Sequence, residues 1–319
     1  MCHRCVAASP IAKSIRGEDL SKSVKQHWVP QFYLKEFSTP ETRDAKMKKV
    51  WAFHREKGDP LLVNVEDIAA QRHLYTPACP EGKRDWKTDD KLTDLEELIS
   101  KVWPTIAHDY VNLSDKHIRM AVSLFVATLI LRHPCKIAEV KKIHDMMVSV
   151  WEKAPKDSEG RPYGSYIYEG KEYELDSSEW HNYKNATDYD HQIFFTSLIE
   201  SETGVIAELL IKKRWSVVIS EAPVFITTDN PVIAENQERE RFGLGTKGTL
   251  ITFPLSPTRI LCMDDKFEEP ASQYYPLKVK NGAPFNQVQW AKAYRFMISP
   301  RHPVNVLTEI IEYSETLEK

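Results

Sequence analysis

Apolar residues in this chain change period along its length, and the changes mark its elements. In Lys25-Gln26-His27-Trp28-Val29-Pro30-Gln31-Phe32-Tyr33-Leu34-Lys35-Glu36-Phe37, the residues Tyr33, Leu34 and Phe37 share one helical face and Lys35 and Glu36 the other. Pro30 holds Val29 extended and suits the first position of a helix. The segment therefore predicts an extended entry, then a helix, with His27 just ahead of the helix N-terminus. Next, Lys49 to Arg55 alternates as a strand, residues 56–60 form a turn, and Leu61 to Val65 is the return strand of a hairpin. Asp67 to Tyr75 predicts a short helix followed by extended chain. Pro80 to Asp90 is charged and reads as a surface loop.

The middle of the chain has helical period. Thr88 to Ile106 carries Leu92, Leu95, Leu98, Ile99 and Val102 near helical spacing, and Pro104 is expected to kink or end it. Ser114 is the expected N-cap of the next helix. That helix holds Ile118, Val122, Phe125 and Leu129 on one face and is apolar nearly all round, which predicts a central, buried helix ending at Arg132-His133-Pro134. A third helix, about Ile137 to Trp151, is amphipathic through Val140, Ile143, Met147 and Trp151. Residues 154–170 are rich in Pro, Gly and Tyr and read as an internal loop. Asp190 to Ile211 is a long helix.

Beyond it, Arg214 to Ser220, Val224 to Thr228, Thr249 to Leu255, Arg259 to Met263 and Arg295 to Ser299 read as strands. Gln287 to Tyr294 reads as a short helix with Asn286 as its N-cap. This order predicts an α+β fold: a helical core of several helices, a small N-terminal β hairpin and a C-terminal antiparallel β region. Residues 1–24 lack any period and are expected to be a flexible tail, leaving 25–319 as a single α+β domain.

Composition adds limits. Of 319 residues, 42% are hydrophobic and 28% charged, enough for a sizeable core. A net charge of −3 argues against coating nucleic acid by bulk charge and leaves room for a local basic patch. The longest apolar run, Ala121 to Leu131, is broken by Ser123 and Thr128 and falls short of the roughly 20 residues a membrane span needs. The N-terminus has no apolar signal region. Five scattered cysteines do not make a disulfide framework, so a reducing, cytoplasmic setting is expected. Cys2-His3-Arg4-Cys5 has the spacing of half a zinc site, but no second Cys pair follows it.

Several pieces of the chain together resemble domain-of-unknown-function family 4238, found in bacteria and some fungi. They are Gln26 to Leu34, Val50-Trp51-Ala52-Phe53, Leu95-Glu96-Glu97, Leu131-Arg132-His133-Pro134, Phe225 to Pro231, Phe253-Pro254-Leu255-Ser256-Pro257, and Asn286 ahead of Ala291 to Ser299. The first and fifth pieces carry most of the specificity. Many relatives look to have two adjacent histidines in the opening motif, whereas here Gln26 precedes a single His27. The resemblance implies an ordered set of motifs and no reaction.

The sharpest chemical constellation is His27 with Gln31. The dipole of the following helix would keep the imidazole neutral, fit to accept a proton or bind a metal, and the helix start is a candidate anion site. Asp229, in Thr227-Thr228-Asp229-Asn230-Pro231 after an apolar strand, is the second catalytic candidate. Gln31, Arg132, Asn230 and Glu96 are candidate binding residues, with Arg132 as a bidentate anion clamp. Each has a plainer alternative: His27 anchoring the first helix, Asp229 and Asn230 making an Asx-turn, Arg132 satisfying helix C-terminal carbonyls, Glu97 on a solvated face.

Gly243 to Thr249 is glycine-rich, but its order is Lys-Gly-Thr ahead of a strand, not the phosphate-loop order. Glu169-Gly170-Lys171 lacks an acidic partner for a nuclease site. Two expectations follow. The first is a hydrolase of phosphodiesters or other anionic groups, nuclease-like and of the kind used in bacterial defence. Its partner would be an anionic ligand or nucleic acid and its cofactor a divalent metal ion, with no membrane involvement. The second is a non-catalytic binding or interaction module. The first requires His27, Gln31, Arg132 and Asp229 to meet in one polar cavity.

Overall fold

A computed structural model describes residues 23–317 apart from 80, 169 and 280. The tail, except for Ser23 and Val24, and the Cys2–Cys5 pair lie outside the described residues, as does Glu169 of the E-x-K spacing. In chain order the elements are β1 (Lys25–His27), α1 (Gln31–Leu34), β2 (Lys49–His54), β3 (Pro60–Asn64), β4 (Ala70–Arg72), α2 (Lys87–His108), α3 (Lys116–Leu131) and α4 (Cys135–Trp151). Then come β5 (Ser165–Tyr168), β6 (Lys171–Glu174), α5 (Trp180–Lys184), α6 (Asp188–Lys212), β7 (Arg214–Ile219), β8 (Thr227–Thr228) and β9 (Ile233–Asn236). The last are β10 (Thr249–Ser256), β11 (Arg259–Asp264), β12 (Gln273–Pro276), α7 (Ala283–Lys292), β13 (Phe296–Ser299) and α8 (Pro303–Leu317). The fold is α+β.

The C-terminal half builds a sheet in the order β12-β7-β11-β10-β9, antiparallel except for the parallel pair β12 and β7. The hairpin β2–β3 is as the alternation predicts, with Val50 opposite Val63. It does not stand as a separate N-terminal unit. Strand β13 pairs with β2 on one side and β8 on the other, giving a sheet β3-β2-β13-β8. An isolated hairpin is marginal in water, so pairing with the far end of the chain completes it.

Helix α3 is buried as its all-round apolar pattern predicts: Val122, Phe125, Val126 and Leu129 are all core. Its cap is Asp115, not Ser114; the Asp115 carboxylate accepts from the His117 and Ile118 amides at 2.8 and 3.1 Å. Helix α2 runs through Pro104 to His108, since a proline forfeits one backbone bond and burial of Trp103, Ile106 and Ala107 holds the last turn. Its inner face is Leu92, Ile99, Trp103 and Ile106, which leaves Leu98 and Val102 exposed. On α4 only Val140 is buried and Ile143 faces outward. The 154–170 segment is not all loop, because β5 pairs with β6 just beyond it.

Asp67 to Tyr75 forms no α-helix. A 3-10 turn at Val65–Asp67 leads into β4, with Ala69 and His73 in left-handed backbone at φ 52 and 54° on either side. Strand β4 pairs antiparallel with β1, His27 opposite Ala70. The strand read at Val224 to Thr228 shrinks to β8, because Asn286 takes its first residues. That side chain accepts from the Ile226 amide and donates to the Val224 carbonyl from inside α7, so it caps nothing. Strands β9 and β12 and helices α5 and α8 were not among the elements expected from the sequence, although α8 buries Val306 and Ile310 at helical spacing.

One apolar cluster joins α1, α2, α3, α6 and β10. At its centre the Phe125 ring lies 5.1 Å from both Phe32 and Trp103 and 6.0 Å from Phe253. The opening segment feeds this cluster: Trp28, Val29, Tyr33, Leu34 and Phe37 are all buried. Among the described residues no single helix is long and apolar enough to cross a membrane.

Candidate functional site

Helix α1 is one turn long and continues as a 3-10 turn at Lys35–Phe37. It is too short to gather a dipole, so the predicted anion site at its start falls away. Burial orders the segment instead. Tyr33 anchors it with two hydrogen bonds, one to the Thr227 hydroxyl at 2.7 Å and one donated to the Pro254 carbonyl at 2.8 Å. That anchor leaves β1 and the start of α1 lying alongside α2, with the end of α3 beneath.

Between them lies an open cleft of about 400 Å³. His27, Gln31, Glu96 and Arg132 all line it, although they are far apart in sequence. Asp229 and Asn230 do not. Gln26, Tyr75, Asp89 and Thr93 join the lining.

Arg132 is 2% exposed and clamped by its own chain. Its guanidinium donates to Glu96 at 2.8 Å and to the His27 carbonyl, and sits over the Tyr75 ring at 5.7 Å. The Tyr75 hydroxyl returns a bond to the Arg132 carbonyl at 2.9 Å. The anion clamp expected of Arg132 is therefore already engaged by Glu96, while its Nε is buried without a partner.

The His27 ring donates from Nε2 to the Glu66 carbonyl at 3.1 Å, which leaves Nδ1 as the bare nitrogen. Its pKa is lowered from 6.5 to about 4, first by burial, against the Glu66 hydrogen bond, and further by the positive charges of Lys25 and Arg132. The imidazole is neutral as predicted, but desolvation is the cause and not a helix dipole. Burial likewise raises the Asp89 carboxyl, with the Gln26 amide acting the other way.

Asp229 is fully buried elsewhere. Its carboxylate accepts from the Tyr294 amide at 3.0 Å and the Arg295 amide at 2.8 Å, and its own carbonyl accepts from the Trp28 indole at 2.9 Å. Burial pushes its pKa up to about 6 despite these amides. Asn230 donates to the Lys292 carbonyl at 3.0 Å, closing the end of α7. Both residues join β8 to the segment after α7. Among the described residues no three His, Cys, Asp or Glu side chains converge as a metal-ligand set.

The residues missed in the sequence had a signal there. Asp89, Thr93 and Ser100 recur with the already named Glu96 at i, i+4, i+11 and i+7, and all four line the cleft, a polar stripe along α2 beside its apolar one. The family model described as a protein of unknown function (DUF4238) matches residues 25–302. The chain belongs to the DUF4238 family. The match spans the cleft walls, the Asp229 turn and the two larger sheets, so the cleft belongs to the DUF4238 region of the chain. No curated protein and no solved structure matches the chain.

Proposed function

We propose that this DUF4238 protein is a binding module whose working site is the cleft between β1, α1 and α2, and that it takes a small polar ligand. The observation that carries this is the cleft itself: an open 400 Å³ space walled by His27, Gln26, Asp89 and Glu96, with Arg132 fixed at its floor. Polar side chains converging on one concavity are what small-ligand sites are made of. Asp229 serves the backbone outside the cleft, so the carboxylate and imidazole of the expected catalytic pair work apart. The free thiols Cys79, Cys135 and Cys262 support a reducing, cytoplasmic setting for this role.

The test fills the cleft. Thr93 stands exposed on its α2 wall, so Thr93→Trp adds bulk there without entering the core. Small-molecule fragments screened by saturation-transfer NMR are expected to bind the wild type and to lose binding in Thr93→Trp. Fragments that bind both proteins equally would place the site elsewhere.

A second reading rests on one observation: a neutral imidazole with a bare Nδ1 lines the open cleft and can accept a proton, as a weak base at a pKa of about 4. It keeps the phosphodiester hydrolase, with nucleic acid as the partner and a divalent metal as an optional cofactor. Nucleic-acid cleavage, assayed with and without magnesium or manganese, separates the two. The binding reading expects no turnover above that of His27→Ala. Cleavage that disappears in His27→Ala with an unchanged melting temperature would replace it by the hydrolase.

A further inference from the structure

We propose that a second copy of this chain docks on the outer edge of β5. The two β5 strands pair antiparallel about a two-fold axis at Ile167 and join two hairpins into one four-stranded sheet. The proposal is independent of the cleft.

Strands β5 and β6 pair only with each other, and every residue of both is exposed. A lone two-stranded hairpin is marginal in water, and two further strands would complete it. The Leu175 amide donates to the Gly164 carbonyl at 2.8 Å. In the alternating antiparallel ladder, Gly164, Tyr166 and Tyr168 therefore turn their backbone groups toward β6. Ser165 and Ile167 turn theirs outward, and no described residue bonds them there.

Charge selects the edge and its occupant. Strand β6 reads Lys-Glu-Tyr-Glu, and its outward backbone groups belong to Glu172 and Glu174. Antiparallel pairing of those residues with their own copies sets Glu against Glu in every register, which protects that edge. Strand β5, Ser-Tyr-Ile-Tyr, carries no charge. Ile167 is 77% exposed, the most exposed large apolar side chain among the described residues.

Pairing about Ile167 sets it opposite the partner's Ile167, with Tyr166 opposite the partner's Tyr168. The Tyr166 and Tyr173 rings already stack at 5.7 Å within one hairpin, so the dimer extends them into one aromatic face. On the other face Glu172 lies across from Ile167 in its own hairpin. The Glu172 carboxylates of the two copies then stay three strand spacings apart, about 14 Å, beyond the screening length at physiological salt. Pairing β5 with the partner's β6 would keep adding copies, whereas β5 on β5 closes as a dimer. A four-residue edge falls short of the roughly 1,200 Å² of a stable interface, so the dimer is weak and forms at high concentration.

The full-length protein is followed by sedimentation velocity from about 10 μM to about 1 mM. Wild type is expected to shift toward dimer as concentration rises. Ile167→Lys sets like charges across the axis and is expected to weaken dimerisation roughly tenfold or more. Ile167→Glu should do the same, and an equimolar mixture of the two should associate again. Ile167→Pro removes the outward N–H, leaves the bonds to β6 in place and is also expected to give monomer. Melting temperatures near wild type for all three separate lost contact from lost fold. A monomer at every concentration, or a dimer indifferent to Ile167→Lys and Ile167→Pro, would overturn the proposal. Charged variants that stay apart when mixed would overturn the two-fold pairing at Ile167. A dimer strengthened by Glu174→Lys would move the interface to β6.

Discussion

His27, His133 and Asp229 show how burial sets charge in this protein residue by residue. Desolvation lowers both histidines from 6.5 to about 4, and raises Asp229 from 3.8 to about 6. The signs oppose. A histidine lowered in the folded state contributes stability that is present above pH 6.5 and is lost as the pH falls toward 4. A carboxyl raised in the folded state contributes stability that is present below pH 3.8 and is lost as the pH rises through 6. Two histidines act against one carboxyl in the same window. The protein is therefore expected to lose stability between pH 6.5 and pH 4. Substituting His27→Gln should make that loss smaller, read as urea midpoints across the window. A wild-type midpoint that rises on acidification would show that Asp229 dominates.

At the level of elements, the short pieces are held by side chains reaching across to backbone. Strand β8 has two residues, yet its exit is fastened by the Asp229 carboxylate to the amides that start the β13 segment. Thr228 makes the local turn instead, its hydroxyl donating to the Asn230 carbonyl and accepting from the Asn230 amide. Thus the turn belongs to Thr228 and is not the Asx-turn read at Asp229 and Asn230, whose side chains bind at longer range. Replacing Asp229 with Ala leaves the Tyr294 and Arg295 amides without that partner and is expected to cost about 1–3 kcal/mol in denaturant unfolding. Ligand binding at the cleft should survive. A stability change below experimental error would show that water takes over those amides.

Across the whole molecule, the aromatic cluster around Phe125 ties the opening segment, α2, α3 and β10 into one body. Phe32, Tyr33, Trp103 and Phe253 all lie within ring-contact range of it. Phe125→Ala opens a cavity where four elements meet and is expected to cost about 3–5 kcal/mol, measured by urea unfolding. The cleft walls, β1 with α1 on one side and α2 on the other, share this support. Ligand affinity should therefore weaken together with stability in that variant. Loss of stability under 1 kcal/mol would place α3 nearer the surface than its pattern implies.

Periodicity determined the strong elements without help from tertiary contacts. The all-apolar α3, the long α6 and the β2–β3 hairpin were legible because local burial repeats with the period of the backbone. So was the family resemblance carried by the opening aromatic segment and the Asp229 turn. What the pattern left open was decided by contacts between distant residues. Leu98 and Val102 have the spacing of core positions, but which side of α2 meets a partner depends on where α1 and α3 lie. Asn286 reads as a cap until Val224 and Ile226 claim it. Arg132 and Glu96 are separate candidates in sequence and become one ion pair in space. Asp229 looked as catalytic as His27 because a carboxylate after a strand has the same local signature in a site and in a clamp. Only the fold supplied the two backbone amides that occupy it, and only the fold brought the Gln26 amide and the Asp89 carboxylate into one cleft.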